Sequence, residues 1–510
     1  MTRFRLSSAE APVRCALVRS FALFRSAALL AGALAASASD LRMVEAAKTG
    51  NVETARALIE QHADINAPGA DGLTALHLAA QADDGAMARL LLNAGANANV
   101  VDRYGISPLW FAATNGSAAM IETLLQAGAN PNAALPEGET VLMTASRTGD
   151  PAAVKALLAH GANANAKEKT LGETALMWAA AENHPEAIEV LIAGGADPNA
   201  RSTVLHLAPF QWVTSGMVAT TLPRGGWTAL MYAARQNSMG AARTLAEKGA
   251  DVNLADPDGT TALVFAIINA HFDLAAMLLD KGADPNVADE TGMAALYAAV
   301  DMHTLGPMIS RPPPKLVDEM DAADLVKRLL AHGADPNARL KKPVLGRHHD
   351  GGDASLGEGA TPLMRAAKTN DVAVMKLLLD AGSSPFLTLK DYTTPLMISA
   401  AGGARAAGYG AAFSVTEAGT IEAMKLLIAH GADVDAFNAN GQTALHRAAQ
   451  RGADQVVRFL AEQGAKLDMK DKQGRMPVDV AREPTRNPGA APGPGHESTV
   501  ALLRQLMQAN

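Results

Sequence analysis

An all-α solenoid of about twelve short repeats is the fold this sequence predicts, and three observations carry the prediction. The string GADPN and its near copies recur most often 33 residues apart, with their glycines at Gly95, Gly128, Gly161, Gly195, Gly249, Gly282, Gly333, Gly382, Gly431 and Gly464. A second string keeps phase with the first: TALHLAA from Thr74, SPLWFAA from Ser107, TALMWAA from Thr174, TALMYAA from Thr228 and TALHRAA from Thr443. Between the two, stretches such as MIETLLQAG (Met120 to Gly128) space apolar residues as one face of a helix and stop on a glycine, the residue that most readily turns the chain beyond a helix end. Each period therefore reads as a turn, a helix, a short loop and a second helix.

Taken in order, the first element is a leader. Arg3, Arg5, Arg14, Arg19 and Arg25 precede an apolar run from Ala27 to Ala36, and small residues at Ala36 and Ala38 form a cleavage pattern, so residues 1–38 read as a signal peptide. Cleavage after Ala38 places the new terminus directly before the first repeat and removes Cys15, the single cysteine. A mature chain without cysteine suits an oxidising periplasm. The alternative is an uncleaved leader that tethers the chain to the inner membrane. No other segment reaches the ~20 apolar residues that a bilayer span needs.

The repeats follow from residue 39 to 510, and both ends depart from the pattern. The first unit starts directly on a helix, LRMVEAAKTG from Leu41, with Glu45 where later units carry Leu78, Phe111 or Trp178. The last starts as MPVDVA at Met476 and, after a Pro/Gly-rich interruption at 484–495, resumes with HESTVALLRQL. Such changes fit end units that must face water, because a lone repeat cannot bury its own apolar face. The 33-residue beat and the TALHLAA-type segments resemble the ankyrin repeat family, whose unit carries T-P-L-H-x-A. That resemblance implies a helix-loop-helix with a β-hairpin finger in each repeat, one curved stack, and binding of a protein through finger tips and inner helices. On matching positions, the tips include Arg103, Tyr104 and Ile106, then Pro257, Asp258 and Thr260. The inner helices contribute Gln81, Thr114, Asn115, Arg147, Glu182, Arg235, Gln236, Asn269, Asp301 and Lys368. One departure is systematic: the motif histidine survives at His77 and His446, while Met143, Met177, Met231, Met364 and Met397 replace it elsewhere. Core packing is the simplest account of these methionines, with a redox-sensitive stripe as the alternative.

Insertions near 203–224, 302–321, 339–359 and 402–418 interrupt the beat, and insertions in repeat proteins often mark a binding face. The first holds Phe210 and Trp212, with Trp227 at its border; these are anchors for a partner or side chains that fold back on neighbouring repeats. The insertion near 302–321 contains RPPP, a stiff extended spacer. That near 339–359 gathers His348, His349, Asp350 and Asp353, ligand types suited to a divalent metal, but no third ligand at a diagnostic spacing accompanies the histidines, and a solvated loop is the simpler reading. The last surrounds Tyr409 and Phe413 with glycine and alanine and could order on a partner.

The formal net charge of -8 arises from 44 basic and 52 acidic residues without long runs of either sign, which argues against a nucleic-acid partner. There is no Walker loop, no H-E-x-x-H, no cysteine nucleophile and no G-x-S-x-G elbow, so no enzyme activity and no cofactor are predicted. The expectation is a monomeric, non-enzymatic protein-interaction scaffold, periplasmic or secreted, that binds an envelope protein. The alternatives are an exported effector that binds a host protein, a metal- or redox-associated accessory protein using the His348/His349 loop, and a plain structural spacer.

Overall fold

The computed structural model describes residues 41–205, 210–211, 218–219, 225–303, 318–342, 356–402, 416–484 and 495–509. The described residues belong to two compact units divided between Ala162 and Asn163. The leader lies outside them.

The first unit holds four helix pairs, beginning with Arg42–Lys48 and Val52–Glu60 and ending with Val141–Thr148 and Pro151–Ala159. Its inner helices are seven or eight residues long, too short to be stable alone, so caps and packing must hold them. Ser107 and Thr140 accept the amides of Trp110 and Met143, and Asp84, Ser117 and Asp150 cap the outer helices. Leu76, Leu91, Leu109, Leu124, Leu142 and Leu157 are fully buried between alanines that let neighbouring helices approach, such as Ala79, Ala80, Ala112 and Ala113.

The second unit repeats the scheme from Ala175–Ala181 and Pro185–Ala193 to Pro477–Arg482 and Glu497–Ala509. The last helix packs on Pro477–Arg482, and its entry is tied by the His496 amide donating to the Ala481 carbonyl at 2.8 Å. Within the first insertion, Phe210–Gln211 pairs antiparallel with Val218–Ala219. The fingers themselves are tight turns rather than the hairpins implied by the resemblance: isolated bridges join Ala134 to Thr140 and Ala255 to Thr261. Too few residues separate the turn from the following helix cap for a longer ladder.

Beside each unit's fingers runs a ladder of asparagines, drawn from the GADPN-type strings that end in Asn. In the first unit Asn99 donates to the Gly128 carbonyl at 2.8 Å and accepts the Asn130 amide at 2.7 Å. In the second, Asn253 donates to Gly282 and accepts from Asp284, Asn286 joins Gly333 and Asp335, and Asn337 joins Gly382 and Ser384. One side chain thus satisfies an orphan carbonyl at the next outer helix's end and an amide just beyond it.

The motif histidines act likewise. His77 Nδ1 accepts the Thr74 amide at 3.0 Å and Nε2 donates to the Ile106 carbonyl of the next finger at 3.0 Å. His446 does the same with Thr443 and Arg475, at 3.2 Å in each contact. These partners require the neutral Nε2–H tautomer, and burial pushes both imidazoles below their ordinary value. Methionine reproduces half of the device. The sulfurs of Met143 and Met231 each accept the cap amide, Thr140 N and Thr228 N, at 3.4 Å, and both residues are buried.

Candidate protein-binding site

The residues predicted for fingers and inner helices divide by accessibility. In the first unit Arg103 and Tyr104 stand exposed on one finger tip, the guanidinium over the phenol ring at 5.1 Å, while Ile106 is half-buried and lends its carbonyl to His77. Asn115 is exposed but donates to the Ala80 and Gln81 carbonyls at 3.1 Å, finishing the preceding inner helix; Arg147 is half-buried at the end of its own. In the second unit Arg235 lies half-buried over the Trp227 ring at 5.1 Å, Gln236 is exposed, and Asn269 donates to Phe265 of its own helix. Asp258, Thr260 and Asp301, read from the sequence as surface positions, are buried. The next finger covers the first two, with Glu290 N donating to the Asp258 carbonyl, and Asp301 forms an ion pair with buried Arg365 at 2.5 Å. Trp212, His348, His349, Asp350 and Asp353 lie outside the described residues, as does the side chain of Phe210.

The aromatic residues of the second unit's inner helices are largely committed. Trp227 packs edge-on against Tyr232 and Phe265, with ring centres 5.5 and 5.2 Å apart, and the Tyr232 hydroxyl donates to Glu173 at 2.9 Å. Burial and that carboxylate push the phenol upward. The remaining shifted groups are also structural. His303 and Asp371 form a half-buried pair at 2.6 Å; the hydrogen bond raises the imidazole, and Asp371 is held low by it and by helix amides despite its burial. No group of three or more metal-ligating side chains converges among the described residues.

A different finger surface breaks the frame. At the ladder position of the string GSSPF stands Phe386, 64% exposed, with its ring against Gly431 where an asparagine would bond that residue's carbonyl. Six residues on, at the finger position held by glycine at Gly105, Gly259 and Gly441, stands Tyr392 with φ +65° and 65% exposure. A bulky side chain in this left-handed region is uncommon and strained. On the following finger Phe437 is 61% exposed, at a variable place occupied elsewhere by Ala134, Val101, Lys167 or Arg339. Together with Pro385 they line an open groove of about 710 Å³, bordered on the far finger by Lys470 and Lys472. Sequence reasoning passed over these residues, although GSSPF in place of GADPN and a tyrosine in place of the finger glycine were visible signals.

Paired helices, capped by threonine or serine and joined by glycine turns, define a helical repeat solenoid, a class built to present its variable finger and inner-helix side chains. Comparison with known proteins names the family: residues 43–134, 132–202, 210–303 and 404–471 match Ankyrin repeats (3 copies), and residues 358–390 match Ankyrin repeat. The chain belongs to the ankyrin repeat family. Among curated relatives it is 32% identical over 96 residues to Potassium channel AKT1 of Arabidopsis thaliana, covering 19% of this chain and 10% of the channel. It is 31% identical over 130 residues to Cyclin-dependent kinase 4 inhibitor B of Bos taurus, covering 25% of this chain and 86% of that protein. A Caenorhabditis elegans homolog of Transient receptor potential cation channel subfamily A member 1 is 27% identical over 125 residues, covering 24% of this chain and 9% of the channel. The matches thus span about a tenth of the two channels' length. No helix among the described residues is long and apolar enough to cross a membrane.

Proposed function

We propose that this chain is a non-enzymatic protein-interaction scaffold of the bacterial envelope, exported by its leader and built of about twelve repeats. One observation carries the reading. The polar atoms that recur from repeat to repeat are consumed by the ladder and the caps, whereas side chains that vary on the fingers, among them Arg103, Tyr104, Phe386, Tyr392 and Phe437, face solvent. Large side chains exposed on rigid turns are suited to anchoring a protein, because they bury much area while losing little conformational freedom. The relatives support an interaction role only through the repeats they share.

Affinity capture of the tagged chain from an envelope fraction, with and without residues 204–224, tests the proposal, followed by reconstitution of the captured protein with the purified chain. A single partner that rebinds at fixed stoichiometry is the expected result. Absence of a saturable partner in either form would leave the spacer reading and the metal- or redox-associated reading. N-terminal sequencing of the exported form should find Ser39 first; a chain that retains Met1 would remove the cleavage step.

A further inference from the structure

The groove beside Phe386 and Tyr392 permits a statement about its occupant, which rests on the interaction reading above. We infer that it docks an extended, proline-bearing peptide segment of a protein partner, with carboxylates flanking the prolines on the Lys470/Lys472 side.

Three observations lead there. First, the aromatic lining is assembled on two fingers from two departures from the repeat frame, Phe386 and Tyr392, and one residue at a variable position, Phe437. Phe386 gives up two ladder hydrogen bonds, Tyr392 holds a strained backbone, and Phe437 exposes an aromatic ring at a variable finger position that holds Ala, Val, Thr, Lys or Arg in other repeats. All three are largely exposed and border one cavity. Strain and exposed apolar surface gathered at one place point to a ligand.

Second, three of the groove's acceptor side chains are already engaged. Thr394 Oγ1 accepts the Met397 amide at 3.2 Å, Asn438 Oδ1 accepts the amides of Asn440 and Gln442 at 2.9 and 3.0 Å, and Asp471 takes the Arg475 guanidinium and two turn amides. Between the Tyr392 and Thr388 hydroxyls and the two lysines, the site therefore offers mainly ring faces. An ordinary strand laid here would bury N–H groups without partners, at a cost that opposes binding. Proline carries no N–H, its ring stacks on aromatic faces, and its extended helix is set before binding.

Third, two lysines outnumber the single exposed carboxylate of the border, Asp433. Lys470 and Lys472 are exposed and form no ion pair among the described residues, while Asp471 between them is turned inward to Arg475. Asp433, on the other side, caps the Asp435 amide at 2.9 Å. Carboxylates flanking the prolines complement the two lysines.

The test uses the full mature chain and fluorescein-labelled peptides with an alternating proline and leucine core, one flanked by three glutamates and one by three lysines. Fluorescence anisotropy should show saturable binding of the acidic peptide, at least tenfold tighter than the basic one and weakened by salt. Phe386→Asn returns the ladder residue and Tyr392→Gly returns the finger glycine, so both variants should melt at or above the parent's temperature while binding falls at least tenfold. Loss of affinity in a better-folded protein cannot be assigned to unfolding. Lys470→Glu with Lys472→Glu should abolish the preference for the acidic flank. The inference is overturned if neither peptide saturates, if the basic one binds as well, or if Phe386→Asn binds as the parent does. It is also overturned if the groove serves self-association, seen as a dimer that Phe386→Asn dissolves. A captured envelope partner that still binds Phe386→Asn would remove this groove while leaving the scaffold reading intact.

Discussion

Asn99 and Gly105 in the first unit occupy the same two points of the repeat as Phe386 and Tyr392 in the second, with opposite chemistry. In the first unit the amide side chain ties two backbone groups of the next repeat and the glycine takes φ +82° without a side chain to strain. In the second the carbonyl and amide of the next repeat lose that tie, and a tyrosine is held at φ +65°. The frame is thus a set of positions whose best residues for stability are known from the other copies. Where the chain departs from them toward large exposed rings, stability has been given up at a place that can contact something else.

Variants that move the frame in either direction sharpen this contrast. The largest effect should come from writing the second region's residue into a regular finger: at Gly259 (φ +90°) a Cβ would lie 2.8 Å from the Asp289 Cα, so Gly259→Tyr should cost about 3 kcal/mol. Urea unfolding followed by tryptophan fluorescence measures it, and a loss below about 1 kcal/mol would show that the finger glycine is not required. Next, Asn286→Ala removes one rung, leaving the Gly333 carbonyl and the Asp335 amide to water; about 1.5 kcal/mol should be lost in the same assay. The reverse change at the broken rung, Phe386→Asn, should gain about 1 kcal/mol, and Tyr392→Gly about 0.5 kcal/mol, since relief of strain exceeds the added freedom of the unfolded glycine. A drop in melting temperature for either would mean that the aromatic residues support the fold after all.

A further effect, dependent on pH, concerns the caps. His446 is neutral in the fold because burial lowers it below 6.5, so as pH falls through 6.5 the unfolded chain takes up a proton that the folded chain resists, and stability declines. His446→Met keeps the amide cap but loses the bond to the Arg475 carbonyl, at about 1 kcal/mol near pH 7.5. The gap between parent and variant should narrow at pH 5, and a gap that widens would contradict the neutral tautomer.

Helix pairs and caps were legible in the sequence because each depends on residues close in the chain: a threonine three residues before the amide it accepts, a glycine just past a helix. The fates of Asp258 and Thr260 were not, because they are buried by a finger about thirty residues further on. The methionines show a finer limit. Their burial follows from periodicity, but the use of sulfur as a cap acceptor at Met143 and Met231 depends on rotamer and distance. For the groove, each aromatic departure could be seen singly in the text of the repeats. That Phe386, Tyr392 and Phe437 share one cavity is a fact of stacking.

The asparagine ladder also bears on how such a chain can change over time. Asn99 reaches a carbonyl 29 residues ahead, yet Asn199, Asn286 and Asn337 make the equivalent bond across 50, 47 and 45 residues. The contact acts as a gauge that sets the pitch between neighbours whatever length of chain is threaded between them. New material can therefore be spliced in at the loops without resetting the register of the units behind it, which makes this architecture open to growth by insertion and to the grafting of foreign loops.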